Sequence, residues 1–298
     1  MSVQKLLMVT QRVCWVVFFA LVVTSLVTEL PFSPHWVWLP GALALAIVVE
    51  LSRRARRVHA HRPPAVEVEA PVAGRWSALN SPADKVPSHG VHGYGQTYAI
   101  DIVAEPEKGA RPAFAWLWPL ARRNSAFPAF GAPLFAVADA TVVHASDGRR
   151  DHLSRNSLVM LVYMLLVEAS VRDIGGASWV VGNHIVLDLG DGTYAMYAHV
   201  QRGSLSVRAG DTVRAGQQIA RCGNSGNSSE PHVHFQLMDG TDLDTARGVP
   251  FAWRGIGVPR NGETFTAGSM EDSSQAVSPD PSQATSPAGE TALPTHGD

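Results

Sequence analysis

The sequence PHVHF at residues 231–235 directly follows a polar segment at residues 224–230. Residues two apart on a β-strand point to the same face, so His232 and His234 would aim two imidazoles into one space. Two neutral imidazoles that close together suit a divalent metal ion, and Zn²⁺ is the first candidate. The alternative is a polar strand face without a metal, because His-x-His alone is a weak pattern.

Composition limits the classes of function that need to be considered. The chain has 298 residues, of which 46% are hydrophobic and 17% are charged, and its formal net charge is -2. This content predicts a sizeable core and gives no electrostatic basis for nucleic-acid binding. Cys14 and Cys222 lie far apart in the sequence, so a disulfide framework is not indicated. A zinc site would therefore use histidine and carboxylate ligands.

The N-terminal region differs from the rest of the chain. Residues 13–49 contain no Lys, Arg or Asp and a single Glu. Two prolines divide this stretch into apolar segments at residues 13–28 and 36–49, each near the lower limit of about 17 residues for a spanning helix. We predict that residues 1–57 form a membrane anchor, folded as a helical hairpin. The alternatives are a signal-anchor with an interfacial segment and, less well matched, a cleaved signal peptide.

Basic residues flank both apolar segments. Lys5 and Arg12 precede the first segment, and four arginines follow the second within residues 53–57. The positive-inside rule places both ends of the hairpin in the cytoplasm, together with everything after residue 57.

Composition also divides the remainder of the chain. Residues 58–75 contain three prolines and alternating Val and Glu, which predicts an extended linker. Residues 269–298 are rich in Ser, Pro, Thr, Ala and Gly, which predicts a disordered tail. The folded domain is then expected over residues 76–268.

The folded domain is predicted to be mostly strand. Residues 131–143 have the composition of two short strands, and residues 183–189 and 193–199 alternate on either side of a Gly-Asp-Gly turn. Valine and glycine recur over residues 207–219, and residues 232–238 form a longer strand pattern. Many short strands with glycine turns predict a mainly β domain, built as an antiparallel barrel or sandwich.

One segment of the domain breaks the strand pattern. Residues 157–168 are apolar between Ser157 and Glu168 and are too short for a comfortable membrane span. We predict a helix or a buried insertion beside the barrel. A segment that dips into the membrane is the alternative.

Four ordered elements of the domain resemble the lysostaphin-type zinc metallopeptidases, a family that cleaves peptides of bacterial cell walls. The elements are Ser88-His89 with Gln96-Thr-Tyr98-Ala-Ile-Asp101, then Tyr197-Ala-His199, then Gly223-Asn-Ser-Gly-Asn227, and finally His232-Val-His234. The resemblance covers residues 76–245 and implies a zinc peptide hydrolase that acts on peptidoglycan.

The resemblance also implies roles for individual residues. His89, Asp101 and His234 match the zinc ligands of the family, and three protein ligands leave a fourth position for water. His199 and His232 match two further histidines beside the water and the scissile carbonyl. We assign His199 to water activation or proton relay and His232 to oxyanion stabilisation, although the sequence does not separate these roles.

The spacing of the first ligand pair departs from the family. Eleven residues separate His89 from Asp101, which is more than in the familiar pattern, and eight separate His92 from Asp101. A longer loop can bring either histidine to the metal. We prefer His89, because a divergent branch of the family has a comparable Ser-His … Gln-x-Tyr-Ala-x-Asp element.

The resemblance and the composition together predict a membrane-anchored zinc metalloendopeptidase that hydrolyses peptide bonds in peptidoglycan stem peptides or cross-bridges. The alternative is a catalytically silent scaffold that binds cell wall or a partner enzyme, and the five filled site positions argue for activity. The hairpin at residues 210–217 also resembles biotinyl- and lipoyl-carrier domains. A carrier needs a lysine at the hairpin tip, and no lysine follows Lys108.

The predicted substrate and the charge pattern disagree about the side of the membrane. Peptidoglycan lies outside, so we predict an extracytoplasmic catalytic domain attached to the cell membrane. Long domains translocate largely regardless of charge, and a single crossing by residues 13–28 would be sufficient.

Overall fold

The computed structural model describes residues 3–58, 64–106 and 110–268. The predicted tail at residues 269–298 and part of the predicted linker, residues 59–63, lie outside these ranges. The rest of the predicted linker contains strand β1 (Val66–Val68) and the start of β2 (Gly74–Leu79). The side chains of Val68 and Val72 are buried in the main core, so this stretch is part of the domain.

Two long helices form the N-terminal region. Helix α1 covers Val3–Val27, a short 3₁₀ turn covers Pro34–Val37, and helix α2 covers Trp38–Val58. The two helices pack against each other, with the rings of Phe18 and Trp38 5.7 Å apart. Both are long and apolar enough to cross a membrane by length and composition. They extend beyond the predicted apolar segments because lysine, arginine and glutamine are good helix formers.

The remaining elements of the described residues are short. The other strands are β3 (Ile100–Ala104), β4 (Pro133–Phe135), β5 (Ala140–Ser146), β6 (His184–Asp188), β7 (Tyr194–Ala198), β8 (Thr212–Val213), β9 (Gln218–Arg221), β10 (Val233–Met238), β11 (Gly248–Val249), β12 (Phe251–Trp253) and β13 (Thr264–Ala267). The short helices are 3₁₀ turns at Gly93–Tyr98 and Asn124–Ala126, α3 (Leu158–Tyr163), a π-helix at Met164–Glu168, α4 (Ala169–Gly175) and α5 (Ala177–Val181).

The main sheet is antiparallel and open. Its strand order is β13-β2-β3-β10-β7-β6-β5-β8, and β11 pairs with β10. The end strands β13 and β8 do not pair with each other in the described part of the chain, so the predicted barrel is not closed. Closure requires end strands that meet with a defined tilt and stagger, and local strand patterns do not encode that requirement. Two small sheets complete the domain, a parallel β1–β12 pair and an antiparallel β4–β9 pair.

The predicted hairpin at residues 183–199 is confirmed by the pairing of β6 with β7. Strand β7 also pairs with β10, which lies near the centre of the sheet. Phe235 of β10 is fully buried and packs against Tyr197, Phe251 and Trp253, with ring centroids 5.1–6.1 Å apart. Burial of these aromatic rings stabilises the centre of the sheet.

The apolar insertion is helical. The side chain of Ser157 accepts a hydrogen bond from Met160 N and caps the first turn, and residues 158–175 then run through α3, the π-helix and α4 without a break. Most large apolar side chains between residues 158 and 167 are exposed, so the insertion is a surface helix. Met160 and Leu161 are half-buried, and Met164 is buried.

Candidate active site

Three neighbouring strands bring the predicted ligands together. Strand β10 lies between β3 and β7, and His234 is opposite Asp101 on one side and Ala198 on the other. His199 follows β7 directly and has a positive φ of 60°. This left-handed conformation is uncommon for a residue with a side chain and often marks a functional position.

Successive side chains along β10 point to opposite faces of the sheet. His232, His234 and Gln236 share one face, as residues two apart on a strand must. Their side chains are buried. The predicted His-x-His geometry therefore extends by one further polar residue on the same face.

Asp101 lies at the centre of the cluster. Its Oδ2 is 2.9 Å from His89 Nε2, and its Oδ1 is 2.8 Å from His234 Nδ1. His232 Nε2 is 3.4 Å from Oδ1. The ligand atoms of His89, Asp101 and His234 all lie within 4.8 Å of one another, and the same holds for His199, His232 and His234.

Gln236 fixes the orientation of the His234 ring. Its Nε2 donates to Tyr94 O at 2.8 Å, so its Oε1 faces His234 Nε2 at 3.1 Å and accepts from it. A histidine that donates through Nε2 in its neutral form has its lone pair on Nδ1. That lone pair points at Asp101.

Ser88 has the same effect on His89. Its hydroxyl lies 3.0 Å from His89 Nδ1 and 3.4 Å from Gln96 O. The hydroxyl has one proton, which it donates to Gln96 O, and it therefore accepts from His89 Nδ1. The lone pair of His89 Nε2 then also points at Asp101.

This arrangement fits a cation. Two imidazole lone pairs face the two oxygens of one carboxylate at less than 3 Å. Such groups repel one another unless protons or a positive ion lie among them. Two histidines and a carboxylate are a donor set that suits Zn²⁺, and outer hydrogen bonds like those that the two histidines donate to Gln236 and Ser88 are typical of zinc-binding histidines.

The two remaining histidines are held differently. His199 Nδ1 donates to Ser225 O at 2.7 Å, and His232 Nδ1 donates to Glu230 O at 2.8 Å. Both rings therefore turn Nε2 toward the cluster. Burial, with His232 and His234 nearby, lowers the pKa of His199 well below its usual value. For His232, burial opposes the charge and hydrogen bond of Asp101, which together raise its pKa.

Asp101 is a buried carboxylate with several partners. Burial alone would raise its pKa, but the nearby His89 and His232 hold the pKa well below the usual range. Asn80 Nδ2 also donates to Asp101 Oδ2 at 2.8 Å. The group is therefore ionised at neutral pH and available as a metal ligand.

His92 lies away from this cluster. Its Nδ1 is 3.1 Å from Thr97 Oγ1, and its side chain lines a cavity beside the N-terminal helices. His89, in contrast, lines the cleft that contains Asp101 and the other three histidines. The geometry thus favours His89 over His92 as the partner of Asp101.

Several residues of the site were not singled out by the sequence. Asn80 reaches Asp101 because β2 pairs with β3, with Leu79 opposite Asp101, and no local motif indicates this contact. Gln236 had a usable signal, since it extends His232 and His234 at the same spacing of two. The insertion helix supplies an apolar wall of the cleft through Leu161 and Met164.

Comparison with known proteins relates this cleft to a peptidase family. Residues 125–245 match the model of peptidase family M23. This range includes His199, His232 and His234, whereas His89 and Asp101 lie upstream of it. Glycyl-glycine endopeptidase ALE-1 of Staphylococcus capitis is 40% identical over 74 residues, which are 24% of this chain and 18% of that protein.

Lysostaphin of Staphylococcus staphylolyticus is 34% identical over 103 residues, which are 34% of this chain and 20% of that protein. The solved catalytic domain of lysostaphin from Staphylococcus simulans aligns at 21% identity with a TM-score of 0.30, covering 53% of this chain and 85% of that one. The chain therefore spans about a fifth of the length of the curated relatives it matches.

Proposed function

Since the chain carries a domain of peptidase family M23 of the lysostaphin type, we propose that it is a membrane-anchored zinc metalloendopeptidase. Its proposed substrates are peptide bonds in peptidoglycan stem peptides or cross-bridges. The observation that carries the proposal is the convergence of His89 and His234 on the two oxygens of Asp101, with His199 and His232 beside them.

We assign the metal to His89, Asp101 and His234. Zinc held there would supply a Lewis acid that polarises a peptide carbonyl and lowers the pKa of water. Asp101 contributes a negative charge to the site. Gln236 and Ser88 keep the two histidine rings in the tautomers that leave a lone pair toward the metal.

His199 and His232 have separate roles in the proposal. His199 is held through Nδ1 to Ser225 O, so its Nε2 lone pair faces the cleft and can accept a proton from the attacking water. His232 is held through Nδ1 to Glu230 O, so its protonated Nε2 can donate to the oxygen that gains charge as the carbonyl is attacked. The proton accepted by His199 can pass to the departing amine nitrogen.

The membrane part of the proposal rests on α1 and α2. Their candidate spans cover Leu6–Val27 and Pro34–Arg54. We propose that they attach the protein to the cell membrane and that the catalytic domain is extracytoplasmic, where peptidoglycan lies. A reporter fused after residue 268 that is active only in the cytoplasm would contradict this side assignment.

The test of the activity uses the full chain in detergent micelles with purified peptidoglycan. Mass spectrometry of the released fragments is expected to show new amine ends with the wild type. His232→Ala is expected to retain zinc and lose roughly 10²–10³-fold in rate, as for the loss of one oxyanion donor. The matched control is His144→Ala, which removes an exposed histidine outside the cleft and should leave the rate unchanged.

The outcomes separate the two functional hypotheses. Fragments released by the wild type and by His144→Ala, but only slowly by His232→Ala, support the peptidase. A wild-type protein that retains zinc and binds peptidoglycan without cleaving it would instead support the silent scaffold.

A further inference from the structure

Two neighbouring segments of the catalytic domain expose large apolar side chains. The first is the loop at residues 113–120, with the sequence AFAWLWPL. Its centre is almost fully exposed, at 73% for Trp116, 68% for Leu117 and 80% for Trp118. Folded domains seldom leave side chains of this size in water without a partner surface.

The second segment is the insertion helix at residues 158–175. Its most exposed large side chain is Leu166, at 70%. The other exposed large apolar side chains of the helix are Leu158, Val159, Val162, Tyr163, Leu165, Val167 and Val171. A helix with this many apolar residues outside the core has a face that lacks a partner within the described chain.

Two hydrogen bonds join the two segments into one surface. Leu158 N donates to Ala115 O at 2.9 Å, and Ser157 Oγ donates to Leu120 O at 2.7 Å. The loop is therefore fixed to the first turn of the insertion helix. We call the loop and the helix residues 158–171 together the apolar surface.

The C-terminal half of the insertion helix meets the first candidate span. Helix α4 contacts α1, and Trp15 and Phe19 line a groove with Ala169 and Ile174. Trp15 is two residues beyond Val13, where the predicted apolar segment at residues 13–28 begins, which corresponds to about 3 Å along a helix. The apolar surface thus continues directly from a segment that is itself suited to a bilayer.

An ion pair marks the boundary between the polar and the apolar part of α1. Arg12 donates to Asp244 at 2.7 Å and lies near Gly176, which ends the insertion helix. Trp15 is less than one turn further along α1. The insertion helix therefore lies at the level where α1 passes from charged contacts with the catalytic domain to an uncharged apolar stretch, which is the pattern expected at the interfacial level of a bilayer.

The chemistry of the apolar surface favours lipid as the occupant. Tryptophan is enriched at membrane interfaces, and helices that lie in the interface have one apolar face. Residues 113–120 and 158–167 contain no charged side chain, and Arg122 and Arg123 follow the loop. Arginine at the edge of an apolar patch suits anionic headgroups.

We propose that the apolar surface docks into the interfacial layer of the same membrane that holds α1 and α2. Because Leu161, Met164 and Leu165 of the insertion helix also line the cleft, docking fixes one wall of the active site at the bilayer surface. The inference rests on the membrane attachment proposed above. It adds a second, peripheral contact made by the catalytic domain itself.

The test measures the depth of single fluorescent labels in the full chain. Trp118→Cys and Leu166→Cys are made in a Cys14→Ser background, since Cys222 is buried, and the unlabelled background protein serves as the check that Cys222 takes up no label. The proteins carry a nitrobenzoxadiazole label and are placed in nanodiscs of phosphatidylethanolamine and phosphatidylglycerol, with or without doxyl groups on the acyl chains. Leu26→Cys reports on the candidate span, and Arg208→Cys, with a side chain 90% exposed on a polar turn, reports on water.

Docking predicts a roughly twofold or larger loss of emission by doxyl lipid at positions 118 and 166, since interfacial helices bury 5–10 Å into the boundary of the acyl chains. Quenching at position 26 is expected, and none at position 208. Quenching at 26 without quenching at 118 and 166 would overturn docking while leaving the anchor intact. Absence of quenching at 26 would overturn the anchor and docking together.

A protein partner predicts a different result. Labels at positions 118 and 166 would then become protected only when a second chain is present, and doxyl lipid would have no effect on them. That outcome would also overturn the proposal. Two label positions on separate segments keep the test valid if one substitution disturbs folding.

Discussion

The two faces of strand β10 differ in what they contact. Val233, Phe235 and Leu237 lie in the main hydrophobic core, whereas His232 and His234 point into the cleft. The same strand therefore carries the residues that stabilise the sheet and the residues that are suited to bind metal. Because side chains alternate along a strand, each histidine is next in sequence to a residue of the core, and the two sets share one backbone.

The difference shows how a polar cluster is tolerated near the centre of a sheet. A buried polar group is costly unless it has hydrogen-bond partners. On the cleft face, His234 has Asp101 and Gln236 as partners, and His232 has Glu230 O. The apolar face supplies the rigidity that holds these partners at fixed distances, which is what a catalytic cluster requires.

The largest expected effect comes from removing a ligand on the cleft face. His234→Ala removes one of the two nitrogens that face Asp101 and is expected to abolish zinc retention and peptide release. The loss should exceed the roughly 10³-fold upper value for a single oxyanion donor. Zinc content is measured by plasma mass spectrometry and activity by fragment release. A variant that retains stoichiometric zinc would contradict the ligand assignment.

The apolar face should affect stability alone. Phe235→Ala removes a fully buried ring directly after His234 in sequence and is expected to cost about 3–5 kcal/mol of unfolding free energy. Urea unfolding in detergent measures the change. The control is Val143→Ala, which alters an exposed side chain and should change the free energy of unfolding by under about 0.5 kcal/mol. The folded fraction should retain zinc, and zinc loss from folded protein would show that the faces are not independent.

A histidine on β6 provides a contrast with those in the cleft. His184 Nδ1 donates to Gly182 O at 2.9 Å, and burial lowers the pKa of His184 to about 4. At this residue the unfolded chain binds a proton below a pH of about 6.5, whereas the folded protein binds one only below a pH of about 4. The free energy of unfolding is therefore expected to fall by about 3 kcal/mol as the pH falls from about 6.5 to about 4.

The measurement compares wild type with His184→Gln by urea unfolding between pH 7 and 4 in the presence of a chelator. The wild type should lose more stability with falling pH than the variant, because glutamine does not titrate. Parallel curves for the two proteins would contradict a buried neutral His184.

The sequence predicted the parts of the fold and site that depend on local pattern. The β6–β7 hairpin follows from alternation and a Gly-Asp-Gly turn, and the shared face of His232 and His234 follows from their spacing of two. The openness of the sheet could not be predicted, because it depends on whether β8 and β13 meet. The sequence also left open whether the insertion is buried or reaches the membrane, since an apolar run has the same composition in a core and on a surface.

The contacts around Asp101 likewise depend on features of the assembled sheet that a local pattern does not predict. Its pairing with His234 depends on the register of β3 against β10, and its contact with Asn80 depends on the register of β2 against β3. Register is a property of the assembled sheet, and residues far apart in sequence set it. The resemblance to a family supplied the identity of the partners where local pattern could not.

Gln236 tests how far the cleft face extends along β10. Gln236→Leu removes the acceptor of His234 Nε2 and is expected to weaken zinc binding by about 10–100-fold, the usual range for an outer partner of a metal ligand. Competition with a chelator measures the affinity. Gln236→Glu restores an acceptor at the same position and should recover part of the loss. Equal zinc affinity in the wild type and the leucine variant would limit the functional face to the two histidines.

The smallest effect is expected at His92, and it sharpens the comparison by locating the edge of the cluster. His92 and His89 lie in one loop, but His89 reaches Asp101 whereas His92 bonds to Thr97 and lines a separate cavity. His89→Ala should therefore lose zinc, while His92→Ala should retain it, with a rate close to that of the wild type. The reverse result would mean that the loop places His92 on the metal. Because both substitutions remove the same side chain from the same loop, a difference between them cannot arise from a general effect on the loop and must reflect the contact with Asp101.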